Sequence, residues 1–471
     1  MKGAKQTPQI VILPAPGMGH LIPLVEFAKR FVLHHDFNIT FTIPTIEGSP
    51  TNAQKEILDS LPKCINTIFL SPVNLDDLSK DTKVETRIYL TILRSLPSLH
   101  EAIKVLTSTT PIAALVVDLF GTDAFDVARQ FNLPSYIFFP STAMVLSLFL
   151  HLPKLDESHS CEYRELLEPV KLPGCVPIHG KELIDSLQGR ESKVYTWTLY
   201  HSKRFKLADG ILLNSFTEME AGAIKALKES GDPSVPPIFP IGPLTQDGSR
   251  DNGADISGCL RWLNNQPIGS VLFVSFGSGG ALSREQLNEL ALGLELSGQR
   301  FLWVVKSPNT SYLDAQSARE DPLTFLPKGF LERTKGRGLV VPSWAPQIQV
   351  LSHVSTGGFV THCGWNSTLE SIVHGVPLIA WPLHAEQKMN AVSLVEDLKV
   401  ALRPKVEKNG IVGRVEIARV VKCLLEGAEG KSIQKQMRML KDAATKVLSE
   451  EGSSRRSLSK VAHRWTSQVG I

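Results

Sequence analysis

Cysteine is sparse in this sequence: six residues in 471, at Cys64, Cys161, Cys175, Cys259, Cys363 and Cys423. There is no Cys-x-x-Cys and no Cys/His spacing of the zinc kind, which excludes a disulfide framework and a structural zinc module and points to a reducing compartment. A surplus of one charge is lacking too. Fifty Lys and Arg against 47 Asp and Glu leave +3 with no long basic run, which excludes nucleic acid as the main partner. No apolar run reaches the roughly 20 residues of a membrane span. The longest, 136–152, is broken by Pro140, carries Ser141, Thr142 and Ser147, and reads as a strand followed by a buried helix. The N-terminus passes from Ile10–Leu13 straight into a glycine turn, without the apolar core or cleavage site of a secretory signal. These absences predict a cytoplasmic protein with no membrane span. At 42% hydrophobic and 21% charged residues, what remains is an ordinary globular mixture, long enough for two or three domains.

What is present is alternation. Short β-rich runs alternate with helical patterns, the signature of βα units around a parallel sheet. Strands are expected at 9–13, 38–43, 113–117, 135–139, 210–214 and 238–241. The polar, turn-rich stretch 245–258 reads as a linker, and the pattern then restarts with strands at 271–276, 301–305, 339–341, 358–361 and 378–381. A capping box, Ser283-Arg-Glu-Gln286, opens a helix through Leu296; further helices are expected at 366–374 and 386–397, with a helical tail to the end. The fold class is therefore α/β: two Rossmann-like, doubly wound lobes facing each other across a cleft, residues 1–244 and 259–452, with 453–471 as a terminal helix.

The glycine turns do not make a dinucleotide fingerprint. Gly17-x-Gly19 is followed by Ile22 where the third glycine belongs, and Gly277-x-Gly279 by Leu282. Gly277–Gly280 reads either as an anion site at a helix start or as a plain tight turn. His20 stands at the carboxyl end of the first strand, where open α/β sheets bind ligands and where a helix N-terminus disfavours imidazolium. Alone it reads first as a helix-capping or packed histidine. Asp118, closing the apolar run Leu115-Val-Val117, is expected at the same sheet edge, where it reads either as a helix or loop cap or as the carboxylate that orients such a histidine as a base.

A third cluster carries more. Trp344-Ala-Pro-Gln347, His362-Cys-Gly-Trp-Asn-Ser367, Glu370 and Trp381-Pro-Leu-His-Ala-Glu386-Gln387 combine a stacking face, a strand-to-helix diphosphate site, a ribose-binding carboxylate and paired groups for sugar hydroxyls. This segment resembles the signature box of plant family-1 UDP-dependent glycosyltransferases, residue for residue at the same spacing. The Gly-x-Gly-His start, Asp118 and the Phe276-Gly-Ser-Gly-Gly turn agree with it. Within that family the sequence is most similar to the hydroquinone and phenylpropanoid O-glucosyltransferase branch.

The resemblance implies a GT-B fold acting as a monomer, with UDP-glucose as co-substrate, no cofactor or metal, an acceptor site in the N-terminal lobe and the tail helix packing back on that lobe. By position, His20 corresponds to the general base and Asp118 to its partner. Trp344, Ala345 and Gln347 correspond to uracil and ribose contacts, Glu370 to the ribose ligand, and Ser278, His362, Asn366 and Ser367 to diphosphate ligands. Trp365, Glu386 and Gln387 correspond to sugar-reading positions, with Thr142 near the sugar 6-hydroxyl. Small aromatic acceptors are expected against Glu85, Phe120, Met144 and Phe149. The implied reaction is inverting transfer of glucose to a phenol. No Asp-x-Asp occurs to hold a metal. The alternatives are a non-catalytic UDP-sugar-binding protein, which would need neither His20 nor Asp118, and transfer to N- or S-nucleophiles or from another sugar donor.

Overall fold

The structure is a computed structural model that describes residues 6–46, 50–79, 82–246, 258–308 and 320–468. The chain divides into two compact units. Unit 1 comprises Met1–Lys181, Ser186–Thr245 and Lys446–Ile471; unit 2 comprises Glu182–Asp185 and Gln246–Thr445. Most of the expected linker, residues 247–257, lies outside the described residues.

Unit 1 is built on a parallel sheet of β1 (Gln9–Leu13), β2 (Asn38–Ile43), β3 (Ile65–Phe69), β4 (Ile112–Asp118), β5 (Ser135–Phe139), β6 (Gly210–Leu213) and β7 (Ile238–Pro240). The spatial order is β3-β2-β1-β4-β5-β6-β7. β1, β4 and β5 are buried at every residue, as central strands covered by helices on both faces must be. The sequence reading missed β3, whose Ile-Asn-Thr-Ile-Phe lies at the sheet edge and buries only its first residue fully. The C-terminal helix Ser453–Gln468 contributes Leu458, Val461 and Trp465 to this core; the Trp465 ring packs on Phe31, Phe37 and Tyr136.

Unit 2 repeats the plan with β8 (Val271–Ser275), β9 (Arg300–Val305), β10 (Gly338–Pro342), β11 (Thr356–Thr361), β12 (Leu378–Ala380) and β13 (Ala401–Leu402), ordered β10-β9-β8-β11-β12-β13 and parallel throughout. β13, two residues long, is too short to leave a sequence pattern.

Three local expectations change. Ser283 does cap the helix Arg284–Ser297, but Gln286 does not reach back to it. Its amide bonds both backbone groups of Val412, at 3.0 and 2.9 Å, because a buried glutamine gains more from two backbone partners than from an exposed cap. The apolar helix of unit 1 runs further than read, Ala143–Ser158, through Pro153. The helix expected from Glu386 starts one residue later, Gln387–Val392, and ends in a π-helical turn, Ser393–Asp397. No helix among the described residues is long and apolar enough to cross a membrane.

Candidate active site

Each sheet has one place where its strand order reverses, between β1 and β4 in unit 1 and between β8 and β11 in unit 2. Helices leave adjacent strands there toward opposite faces, opening a crevice at the carboxyl ends. His20 and Asp118 stand at the first of these points, and the Gly277–Gly280 turn and His362 at the second.

In unit 1, β1 runs into a turn that ends at Gly17, whose φ of 115° starts the helix Met18–His34 and brings His20 into its first turn. β4 lies beside β1 with Val117 opposite Leu13, so Asp118 closes β4 next to that turn. His20 Nδ1 is 2.8 Å from Asp118 Oδ2, the carboxylate fully buried and the imidazole 19% exposed. The Phe120 backbone N–H donates to Asp118 Oδ1 at 3.3 Å, and the Phe120 ring meets the imidazole edge-on at 5.8 Å between centroids. A buried carboxylate on Nδ1 fixes that nitrogen as the protonated one and assigns the proton-accepting role to Nε2.

Of the residues expected around an acceptor, Phe120 is thus brought against the histidine. Glu85 lies half-buried in the first turn of the helix Val84–Thr107. Phe149 stacks on Phe205 at 5.3 Å and meets Phe139 edge-on. Met144 is buried near the start of its helix, where Glu220 accepts the N–H groups of Ala143 and Met144. Thr142 caps that helix through Val145 N–H. Sequence reasoning missed the polar layer beyond Phe120. His201 bonds Thr122 at 2.7 Å, faces the Phe120 ring at 6.4 Å and is kept neutral by burial and nearby Arg204, its pKa pushed down to about 3. Tyr200 donates to Asp123 beside it at 2.5 Å. These residues come from separate elements with no shared motif.

In unit 2, β8 ends in the Gly277–Gly280 turn and β11 ends just before His362. Gly277 has φ +72°, and a Cβ there would stand 2.4 Å from the imidazole; one on Gly364 would stand 2.4 Å from its Nε2. The histidine ring therefore lies in a slot between two glycines. Burial pushes its pKa down to about 3, helped by His384 and Lys306, so it is neutral. Lys306, at the end of β9 and absent from the sequence reading, donates to the carbonyls of Gly277 and Ser278 and secures the turn. Burial lowers its pKa to about 8. Next to His362, Cys363 takes φ +64°, and Asn390 donates to its carbonyl at 2.9 Å. Gly364 then opens the helix Trp365–His374, which carries Trp365, Asn366, Ser367 and Glu370.

The rest of the box divides in two. Gln347 donates to Ser367 at 2.9 Å and to Glu370 at 2.7 Å, and burial raises the Glu370 pKa to about 7 despite that bond. Ala345 is buried, whereas Trp344 is 60% exposed, an unusual position for so large an apolar face. Gln387 Oε1 accepts the N–H groups of Leu383 and His384 at 2.9 and 3.0 Å, so what this buried side chain has left to offer a ligand is its amide N–H groups. Glu386 precedes it as the helix-flanking residue, half-buried. Trp365 and Trp381 are both buried, the latter edge-on to Phe276. Among the described residues no group of three or more His, Cys, Asp or Glu is arranged to hold a metal ion.

Two parallel, doubly wound units in one chain are the plan of the GT-B class of glycosyltransferase, and solved structures of that class match this chain. The family described as UDP-glucoronosyl and UDP-glucosyl transferase matches residues 252–409. The chain is 58% identical over 470 residues to a hydroquinone glucosyltransferase of Rauvolfia serpentina, covering 99% of both chains. Two solved structures are similar over 98% of this chain. One is a Phytolacca americana glycosyltransferase with UDP-2-fluoro-glucose and pterostilbene, with TM-score 0.91, 54% identity and 100% of that chain covered. The other is a Polygonum tinctorium UDP-glucosyltransferase capable of glucosylating indoxyl, with 3,4-dichloroaniline, with TM-score 0.92, 56% identity and 99% covered. The chain belongs to the UDP-glucoronosyl and UDP-glucosyl transferase family and is a UDP-glycosyltransferase.

Proposed function

We propose that this enzyme transfers glucose from UDP-glucose to the hydroxyl of a small phenol, inverting the anomeric carbon to give a β-glucoside. The observation that carries the reading is the His20–Asp118 contact at the unit 1 switch point. A histidine with its tautomer held by a buried carboxylate is a general base, which a mere UDP-sugar-binding protein would not need. The attacking oxygen loses its proton to His20 Nε2 as it bonds to the anomeric carbon, while the bond from that carbon to the UDP oxygen breaks. Asp118 stabilises the imidazolium formed. A phenol, with a pKa of about 10, is within reach of a histidine base in a way an aliphatic alcohol is not. The Phe120 ring beside the imidazole suits an aromatic acceptor. The relatives point the same way, since a hydroquinone glucosyltransferase and an indoxyl-glucosylating enzyme both act on small aromatics.

On the donor side, neutral His362 and the N–H groups opening the helix Trp365–His374, with Asn366, Ser367 and Ser278, are assigned to the diphosphate, where they would meet the charge developing on the leaving UDP. Exposed Trp344 is assigned to the uracil, Gln347 and Glu370 to the ribose, and Glu386 and Gln387 to the sugar. The absence of disulfides among the described cysteines suits a cytoplasmic enzyme.

The test is UDP release from UDP-glucose in EDTA, with hydroquinone, a coumarin and a coniferyl-type phenol as acceptors. Release that requires a phenol is expected. UDP-glucose binding without release for any phenol would overturn the proposed acceptor class.

A further inference from the structure

Four residues leave the unit their neighbours belong to. Lys181 and Ser186 belong to unit 1, but Glu182–Asp185 between them belong to unit 2. Their bonds show what they do there. The Asp185 N–H donates to the Ala385 carbonyl at 3.0 Å, and the Ala385 N–H donates back to Asp185 Oδ2 at 2.9 Å. Lys388 Nζ donates to the other carboxylate oxygen at 3.0 Å, and Glu182 pairs with Arg403 at 2.8 Å. One aspartate thus holds both backbone groups of a single alanine.

That alanine needs holding. Ala385 has φ +57°, the left-handed region that a β-carbon disfavours and that ordinary sequences fill with glycine or asparagine. It immediately precedes Glu386 and Gln387. Gln387 already ties this loop through the N–H groups of Leu383 and His384. Asp185 ties the next residue, Ala385, so the chain leading into Glu386 and Gln387 is held by one local anchor and one distant in sequence.

We propose that Asp185 is a positioning residue for the donor sugar: it clamps Ala385 in its left-handed conformation and thereby aims Glu386 and Gln387 at the hexose hydroxyls. The proposal rests on the assignment of Glu386 and Gln387 to the sugar. The clamp acts on the sugar end of the donor and leaves the uridine and diphosphate contacts alone. It therefore makes a demand that a general structural role would not: losing it weakens UDP-glucose and spares UDP.

The experiment measures UDP and UDP-glucose affinities, and turnover with UDP-glucose against UDP-galactose, for wild type, Asp185→Ala, Asp185→Asn, Asp185→Ala combined with Ala385→Gly, Glu386→Ala and Gln387→Ala. Asp185→Ala is expected to weaken UDP-glucose about tenfold while UDP stays within about twofold, and to narrow the preference for glucose over galactose. Asp185→Asn, which keeps an acceptor for the Ala385 N–H but loses the charge facing Lys388, should fall between. Glycine at 385 removes the β-carbon penalty but not the need for a clamp, and should recover part of the loss. Equal weakening of UDP and UDP-glucose by Asp185→Ala would overturn the proposal in favour of a structural tie. UDP-glucose affinity that falls with Glu386→Ala or Gln387→Ala but not with Asp185→Ala would overturn it while leaving the sugar assignment standing. If all three substitutions leave both affinities unchanged, the sugar assignment fails and the clamp with it.

Discussion

At the scale of single residues, burial decides which protonation states the site works with. His20 is held by a carboxylate, His362 is kept neutral by its slot, and Glu370 is held partly protonated. His20→Ala should lower phenol glucosylation by about 10²–10⁴-fold with UDP-glucose affinity retained, measured by turnover beside calorimetry; loss of donor affinity instead would move His20 to the donor site. Glu370 gives a pH signature. Its folded pKa, about 7, lies above the ordinary carboxyl value, so the unliganded protein holds a proton here that the unfolded chain releases. The stability this group confers is complete below the ordinary carboxyl range and is lost as pH rises through about 7. Ribose hydroxyls donating to Glu370 would favour the anion, so UDP-glucose should bind more tightly as pH rises toward 7, with proton release. Above about 8 it should weaken as Lys306 loses its charge. Titration calorimetry in buffers of different ionisation enthalpy checks both limbs; Glu370→Gln should flatten the lower one and Lys306→Met the upper.

At the scale of elements, the two units solve one problem in the same way. A strand ends, a glycine turn follows, and the neighbouring strand across the switch point delivers the partner: β1 with Asp118 at the end of β4, β8 with His362 after β11. The glycine in the second pair is there for space as well as conformation. Gly277→Ala would bring a β-carbon into the His362 ring at a φ that already disfavours it. The expected cost is about 1–3 kcal/mol of stability with a raised KM for UDP-glucose, read from urea unfolding and steady-state kinetics. An unaffected KM would mean that the imidazole slot does not contribute to donor binding. Lys306, which was not legible in the sequence, belongs to this scale. It is an ordinary strand-end lysine until β9 is laid beside β8 and its Nζ meets the turn carbonyls.

At the scale of the whole molecule, sequence order and spatial grouping part company twice. The C-terminal helix belongs with the N-terminal sheet, and Glu182–Asp185 belong with the C-terminal one. Trp465 has no exposed surface and packs on Phe31, Phe37 and Tyr136. Trp465→Ala should destabilise unit 1 by about 3–5 kcal/mol, seen as an earlier unfolding transition with donor affinity in the remaining native protein unchanged. A single unshifted transition would mean that the helix is not part of that core.

The sequence by itself determined the alternation of strands and helices, the two-unit α/β plan, and the residue types of the box from Trp344 to Gln387. These are local matters: period, turn chemistry and motif spacing are all written within a few tens of residues. It could not determine that His20 and Asp118 touch, that His362 lies between Gly277 and Gly364, or that Glu370 is shared with Gln347. Still less could it show that Asp185 grips Ala385 or that Trp465 completes the first sheet's core. Each of these is a contact of the folded chain, most of them between residues far apart in sequence, and their distances, burial and altered proton affinities exist only once the strand order has brought them together.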